Sequence, residues 1–424
     1  MKKYINKAKI LIFSGTAKDT YILFVGNIMS AFFGFIFIYI LTRKLSVDEF
    51  GVFSAAANLI VIISSFTDLG ITTAMINFVS QKLGNHDNYG ADRCLKASFI
   101  IRFVSVAIVS TIVLLIPKFV ATNLLSTSDF TVSYWVGLIS IGLTAWLTFP
   151  YAMMAYKKFW SSVLLDWSLG IPRILIFLSL ASLLPVNLNL ALMSYGLSTI
   201  LPIFFGFSII GLKFLKAKAT KSDYLSLVKF SGWLGVNRIV SSISGRLDIS
   251  MLANLTTASI VGHYSIASRL SSFVIVLSSS LGSVLSTRFS RFNDKEKEKR
   301  YLIKSTLFTL PIILGVIIWI LVAKPFVLIL FGDRYFESIK ILQYLLISLI
   351  PFIFATPAVT AIVHSMRKPV YIGMFSFVQI VMVFVFNIYF TNLFGGLGPA
   401  IAFMISNTVL ALYAFVIVYK YYEN

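Results

Sequence analysis

Charged and amide side chains interrupt several stretches of this sequence that are otherwise apolar, and their spacing poses the first chemical question. In the stretch 225–255, helical geometry gathers Asn237, Arg238, Ser241, Ser242, Arg246 and Asp248 within an arc of about 200°, while Val236, Ile239, Ile243 and Leu247 fill the opposite side. In 259–286, Arg269 shares a helical face with Ser265, Ser272, Ser280 and Ser283. Asn58 lines up with Ser54, Ser65 and Asp68, and Asn27 with Ser30 and Gly34. Asp166 and Arg173, seven residues apart, nearly superimpose on one face. Arginine suits the binding of phosphate oxygens, because its planar fork stays charged and engages them in pairs. A polar path lined by Arg238, Arg246, Arg269, Asn237, Asn27, Arg173 and Asp248 is therefore one expectation, with Asp68 and Asp166 as gating or ion-coupling groups. The structural alternative is that these groups pair to hold helices together: Arg246 with Asp248 or Asp68, and Asp166 with Arg173.

The elements that must position them are set by composition. Of 424 residues, 58% are hydrophobic and 12% charged, and the mean hydropathy is +0.90. Soluble domains carry about 25% charged residues. The apolar residues fall in blocks of about 20, the length that crosses a hydrocarbon core of about 30 Å, and in lipid such blocks must be helical. Twelve spans are expected, at 19–42, 50–79, 97–117, 131–155, 161–184, 188–212, 225–255, 259–286, 302–323, 338–363, 370–391 and 397–419. The seventh and eighth are the most interrupted. Arg238 then lies about 20 Å along its helix, close to mid-membrane, at ~1.5 Å per residue. The first span is too long for a signal peptide and lacks a small-residue cleavage site, so it reads as an uncleaved helix. Before it, residues 1–18 separate Lys2, Lys3, Lys7 and Lys9 from Tyr4, Ile5, Ala8, Leu11 and Ile12, as in an amphipathic helix on the membrane surface.

Orientation follows from lysine and arginine. With the N-terminus inside, the cytoplasmic connections hold 24 of the 36 basic residues and the outer ones hold 5, namely Arg43, Lys44, Lys118, Lys324 and Arg334. Both termini are expected inside. The same asymmetry accounts for the net charge of +20 without a nucleic-acid partner. Cys94 is the lone cysteine, so neither an internal disulfide nor a cysteine metal cluster forms. No metal, cofactor or catalytic residue is expected. The longest connections are about 15 residues and hold no carboxylate pair of the kind that acid–base catalysis needs, which argues against an enzyme.

An internal repeat organises the spans. Phe50-Gly51-Val52-Phe53-Ser54-Ala55-Ala56 and Val261-Gly262-His263-Tyr264-Ser265-Ile266-Ala267 share the pattern apolar-Gly-x-aromatic-Ser-x-Ala, 211 residues apart. Lys118-Phe119 answers Lys324-Pro325-Phe326. Pro150 answers Pro357, each followed by a basic pair, Lys157-Lys158 and Arg367-Lys368. Six helices per repeat is an even number, so the halves insert in parallel, related by an axis along the membrane normal. The organisation expected is a surface segment (1–18), a first lobe of six helices (19–212), a cytoplasmic linker (213–224) and a second lobe (225–424).

On these residues the chain resembles a known family. The run from Leu41 to Ser54, the run Arg246-Leu247-Asp248-Ile249-Ser250-Met251-Leu252 with 261–267, and the turn Asp68-Leu69-Gly70 are similar to motifs of polysaccharide transporters. Those are the Wzx-type oligosaccharide-lipid (O-antigen) flippases of the multidrug/oligosaccharidyl-lipid/polysaccharide (MOP) exporter superfamily. The resemblance implies an all-α integral membrane fold of two six-helix lobes, MATE-like, in a bacterial cytoplasmic (inner) membrane. It implies a flippase that carries a polyprenyl-pyrophosphate-linked oligosaccharide by alternating access, with H+ or Na+ coupling. A polysaccharide polymerase and chain-length proteins are the partners it implies. An ion-coupled multidrug or cation antiporter of the same superfamily is the alternative. The charges of Arg238, Arg246, Arg269 and Asp248 favour an anionic cargo, and adding Arg173, Asp68 and Asp166 leaves one net positive charge.

Overall fold

The computed structural model describes residues 15–290 and 294–423; within helices, the side chains of residues 15–17 and 20, and of nine between 233 and 244, lie outside that description. Most of the expected surface segment 1–18 therefore falls outside the described residues. Every regular element among those described is helical, and none is a strand.

Backbone contacts sort the chain into two compact units, Met1–Leu45 with Ala55–Arg246, and Ser46–Ser54 with Leu247–Asn424. In chain order the elements are α1 (Gly15–Lys44), α2 (Val47–Asp68), α3 (Ile71–Gly84), α4 (Asn88–Leu115), α5 (Pro117–Leu124), α6 (Thr131–Ala155), α7 (Phe159–Leu183), α8 (Leu188–Leu197), α9 (Ile200–Ile210), α10 (Lys213–Lys216) and α11 (Lys221–Ser244). There follow α12 (Leu247–Leu255), α13 (Ala258–Phe289), α14 (Lys295–Leu307), α15 (Thr309–Phe331), α16 (Phe336–His364), α17 (Pro369–Phe394) and α18 (Gly398–Glu423). In the first unit α4 packs on α6 and α3, and α1 on α7; in the second, α16 is the central helix, against α13, α15 and α18.

Ten segments among the described residues are long and apolar enough to cross a membrane. The difference from the twelve expected spans has two sources. Pro369–Glu423 is one apolar run that holds both α17 and α18, joined by the short turn Gly395–Leu397. Helix α11 is not among the ten, because serine, glycine, asparagine and lysine dilute its hydropathy.

Four expected spans are interrupted within their length, the ninth by a single-residue break at Phe308 between α14 and α15. The second breaks between α2 and α3, where Leu69 (φ 46°) and Gly70 (φ 75°) are both left-handed. Gly70 is needed here for space as well as conformation: a Cβ on it would lie 2.8 Å from the backbone nitrogen of Gly235, and one on Gly235 would lie 2.4 Å from the Leu69 carbonyl oxygen. The sixth breaks at 198–199, where the Ser198 and Thr199 hydroxyls each donate to a carbonyl three residues back, at 2.7 Å. The seventh breaks at Gly245-Arg246, between α11 and α12.

The repeat has a direct structural consequence inside the second unit. Gly51 and Gly262, the matched glycines, pack against each other. A Cβ on Gly51 would lie 1.7 Å from the carbonyl oxygen of Ala258, four residues before Gly262. A Cβ on Gly262 would lie 2.6 Å from the carbonyl oxygen of Val47, four residues before Gly51. Each glycine meets the same backbone atom of the other's preceding turn, the reciprocity of a two-fold contact. Small residues allow two membrane helices to approach this closely. The first turn of α2 is fixed independently by a capping box, in which Ser46 N donates to Glu49 Oε2 and Glu49 N donates back to Ser46 Oγ. The basic pairs are alike too: Lys157 (φ 57°) and Arg367 (φ 56°) each take the left-handed conformation after a proline-containing helix.

Because nothing at the glycine contact can give except backbone, Gly51→Val and Gly262→Val should each destabilise the folded protein by about 1–3 kcal/mol or more, as overpacking does. Thermal unfolding in detergent should show the loss in both variants and little further loss in the double variant, since one separation of α2 from α13 relieves both clashes.

Candidate functional site

A site begins where α2 ends. Asp68 is the last residue of α2 and is 3% exposed. Its Oδ1 accepts from the Thr72 backbone N–H at 3.3 Å and from the Thr72 hydroxyl, so the carboxylate caps the first turn of α3. The same oxygen lies 3.4 Å from Nε of Arg102 on α4, which is 2% exposed. Arg102 Nη1 donates to the Thr148 hydroxyl on α6 at 2.9 Å, and Thr148 donates in turn to the Thr144 carbonyl. One buried ion pair thus ties together α2, α3, α4 and α6.

The pair borders a cavity of about 330 Å³ inside the first unit, which Arg173 of α7 and Tyr195 of α8 also line. The Arg173 guanidinium sits 3.8 Å from the Tyr195 ring centroid and 5.7 Å from that of Phe37, two cation–π contacts. Its Nε donates to the Ser198 hydroxyl at 3.2 Å, and its Nη2 is buried without a hydrogen-bond partner among the described residues. Trp146 and Tyr151 add aromatic wall. With Arg102 and Arg173 against Asp68, the lining carries one net positive charge.

The structure brings together two of the residues singled out from sequence, Asp68 and Arg173, and adds a third that was overlooked. Arg102 had a legible signal, a permanent charge inside the third apolar block. Asp166 is half-buried on α7 and does not line this cavity; the expected Asp166–Arg173 pair is not formed, since Arg173 is held by Tyr195 and Ser198. Asn27 is exposed on α1.

The remaining candidates stand elsewhere. Arg246 is half-buried at the end of the first unit, where its Nη1 donates to Asn58 Oδ1 at 3.1 Å and its carbonyl accepts from Asn58 Nδ2 at 3.3 Å. In the second unit, Asp248 is buried and accepts from the Tyr264 hydroxyl at 2.7 Å and from the Ile249 N–H at 2.8 Å, so it joins α12 to α13. Arg269 is exposed on α13. Asn237 and Arg238 belong to α11, and their side chains lie outside the described residues. The second unit also holds Asn387 on α17, 0% exposed, with neither side-chain atom partnered among the described residues, and Thr391 one turn on with its hydroxyl likewise buried. Helix α17 packs on α12, which carries Asp248.

Comparison with known proteins places this geometry. The sequence model of a family described as "Polysaccharide biosynthesis protein" matches residues 16–293. A Shigella flexneri protein provisionally designated an O-antigen transporter is 24% identical over 360 residues, 80% of this chain and 84% of its own. Among solved structures, the lipid II flippase MurJ in an inward closed conformation superposes with a TM-score of 0.72 at 17% identity, covering 93% of this chain and 87% of that one. An inward-facing multidrug resistance MATE family transporter of the MOP superfamily gives 0.70 at 16%, covering 91% and 94%. These likenesses give the fold, that of the MOP superfamily.

Removing one member of the buried pair strands the other, which costs about 3–5 kcal/mol. Asp68→Ala and Arg102→Ala should each lower the unfolding temperature markedly. The double variant should lose less than the sum of the two, and the shortfall measured in a double-mutant cycle gives the coupling.

Proposed function

The chain belongs to the polysaccharide biosynthesis protein family, and on that premise we propose that it is a flippase moving a polyprenyl-pyrophosphate-linked oligosaccharide across a bacterial cytoplasmic membrane by alternating access. The observation that carries this reading is the first-unit cavity, where two guanidiniums face one carboxylate between tryptophan and tyrosine rings. Such a lining suits an anionic, sugar-bearing head group. The Arg173 fork has a donor to spare for phosphate or hydroxyl oxygens, and the rings offer flat apolar faces to sugars. The O-antigen transporter designation of the Shigella relative and the lipid-linked substrate named for MurJ support the same cargo class.

Twelve crossings are part of the proposal: the ten apolar segments, with Pro369–Glu423 counted as its two helices, together with α11 and its continuation α12. The 24-to-5 division of basic residues supports both termini inside, and the 211-residue repeat supports two lobes, 19–212 and 225–424, joined by 213–224. Arg238, Arg246 and Arg269, with Asn237, Asp248 and Asn27, remain proposed contacts of the cargo on its way, and Asp166 a coupling group. A polymerase and chain-length proteins are the proposed partners.

A second reading, an ion-coupled antiporter of drugs or cations, is favoured by the MATE likeness. The net positive lining of the cavity opposes a cationic cargo by like-charge repulsion. Ion coupling itself suits either reading. Asn387 Oδ1 and the Thr391 hydroxyl are buried oxygens without partners among the described residues, neutral ligands that fit a hard monovalent cation near Asp248's helix.

In cells that depend on the protein for polymer export, Arg173→Ala at normal expression should cut export about tenfold or more, the worth of one or two charge-assisted hydrogen bonds, and Arg173→Lys should restore part of it. Unchanged export in Arg173→Ala, or efflux of cationic drugs by the wild type, would overturn the flippase reading. For the coupling ion, Asn387→Leu should remove any Na+ dependence of transport in vesicles while leaving the protein folded; an unaltered ion dependence rejects that assignment.

A further inference from the structure

A second cavity, of about 670 Å³, lies in the other unit, at the end where α13 and α16 begin, α15 ends and the turn Gly395–Leu397 joins α17 to α18. Lys324, Lys340, Glu337, His263 and Tyr344 contribute polar groups to its lining, between the rings of Phe336 and Phe394. His263 is a fixed part of the wall: it is 5% exposed, with Nδ1 3.2 Å from the Ser338 hydroxyl and Nε2 3.5 Å from Glu337 Oε2. Gly396 keeps the cavity open, since a Cβ there would come within 3.0 Å of Ile341 and 3.1 Å of Ile260.

The charges are unusual for their place. Lys324 is set about 10 Å inside the end of α15, within the most hydropathic of the membrane-spanning segments, where an ammonium is costly. The charge count assigns it to the five basic residues of the outer connections, and the structure places it within α15 instead. Snorkelling to the interface would satisfy one such lysine. It does not bring Lys340, from the first turns of α16, to the same cavity. Against the two lysines stands one carboxylate, Glu337, itself 74% exposed and drawn toward His263.

The geometry points to an exit subsite for the phosphate-bearing head of a polyprenyl-linked glycan, a reading that rests on the flippase function proposed above. Two lysine ammonium groups in the lining of one cavity attract a pyrophosphate as point charges, without the bidentate geometry of arginine, so they hold an anion while leaving it free to go. Phe336, Phe394 and Ile260 give the first isoprene units an apolar surface at the level where head group and chain meet. The ligand class is an isoprenoid pyrophosphate.

Calorimetric titration of the full chain in detergent tests this with farnesyl pyrophosphate, farnesol and inorganic pyrophosphate as probes. The Arg173→Ala background weakens the first-unit cavity about tenfold, by one charged hydrogen bond. In that background farnesyl pyrophosphate should still bind, about tenfold more weakly after Lys324→Gln or Lys340→Gln and about a hundredfold after both, one charged hydrogen bond each. Both lysines are exposed, so unfolding temperatures should not move. Unchanged affinity in the double variant, or farnesol binding as tightly, overturns the subsite; inorganic pyrophosphate binding as tightly overturns its lipid specificity. Loss of all binding in Arg173→Ala alone removes this subsite and leaves the flippase reading standing. No binding of farnesyl pyrophosphate by the wild type removes both.

Discussion

The buried pair of Asp68 and Arg102 is the interaction on which the first unit's architecture and its site both rest. Charges in a membrane interior are tolerated only when partnered, and this pair is partnered completely enough to fix helix ends. Asp68 closes α2 and opens α3, while Arg102 reaches from α4 to Thr148 on α6. Without the pair, the left-handed turn at Leu69-Gly70 would have no carboxylate to cap the following helix, and the cavity beside Arg173 would lose one wall. The same groups that hold the helices also set the cavity's charge.

Glycine supplies the second constraint. Gly70 with Gly235, and Gly51 with Gly262, are places where backbone rests on backbone. In lipid there is little hydrophobic gain from bringing helices together, so close packing between small residues carries the association. At the reciprocal contact of Gly51 and Gly262 inside the second unit, a side chain on either would strike a carbonyl oxygen of the other's preceding turn. The helix breaks at 69–70, 198–199 and 245–246 obey the same economy, occurring where glycine or a self-bonding hydroxyl relieves the backbone.

Functionally, the two cavities share a pattern of more cation than anion among aromatic walls, one built with arginine and the other with lysine. The distinction has physical content. A guanidinium over the Tyr195 ring and bonded to the Ser198 hydroxyl presents an oriented planar fork. Exposed lysines present mobile point charges.

The sequence by itself determined that this is an all-helical membrane protein with an internal repeat, because apolar block length and the matched motifs are local properties that each segment carries alone. Its family was legible in the runs 41–54, 68–70, 246–252 and 261–267 for the same reason. Asp68 and Arg173 were recognisable as charges too costly to be idle. Only the tertiary structure decided that these two share a cavity, that Arg102 completes it, that Asp166 does not join it, and that Asp248 bonds to Tyr264. Helical phase places a residue on a face but does not say which helix lies opposite, and a charge's role depends on the partner that crosses over to meet it. The helix breaks at 69–70, 198–199 and 245–246 were hidden likewise, since hydropathy averages over a window longer than the two residues at which a backbone turns aside.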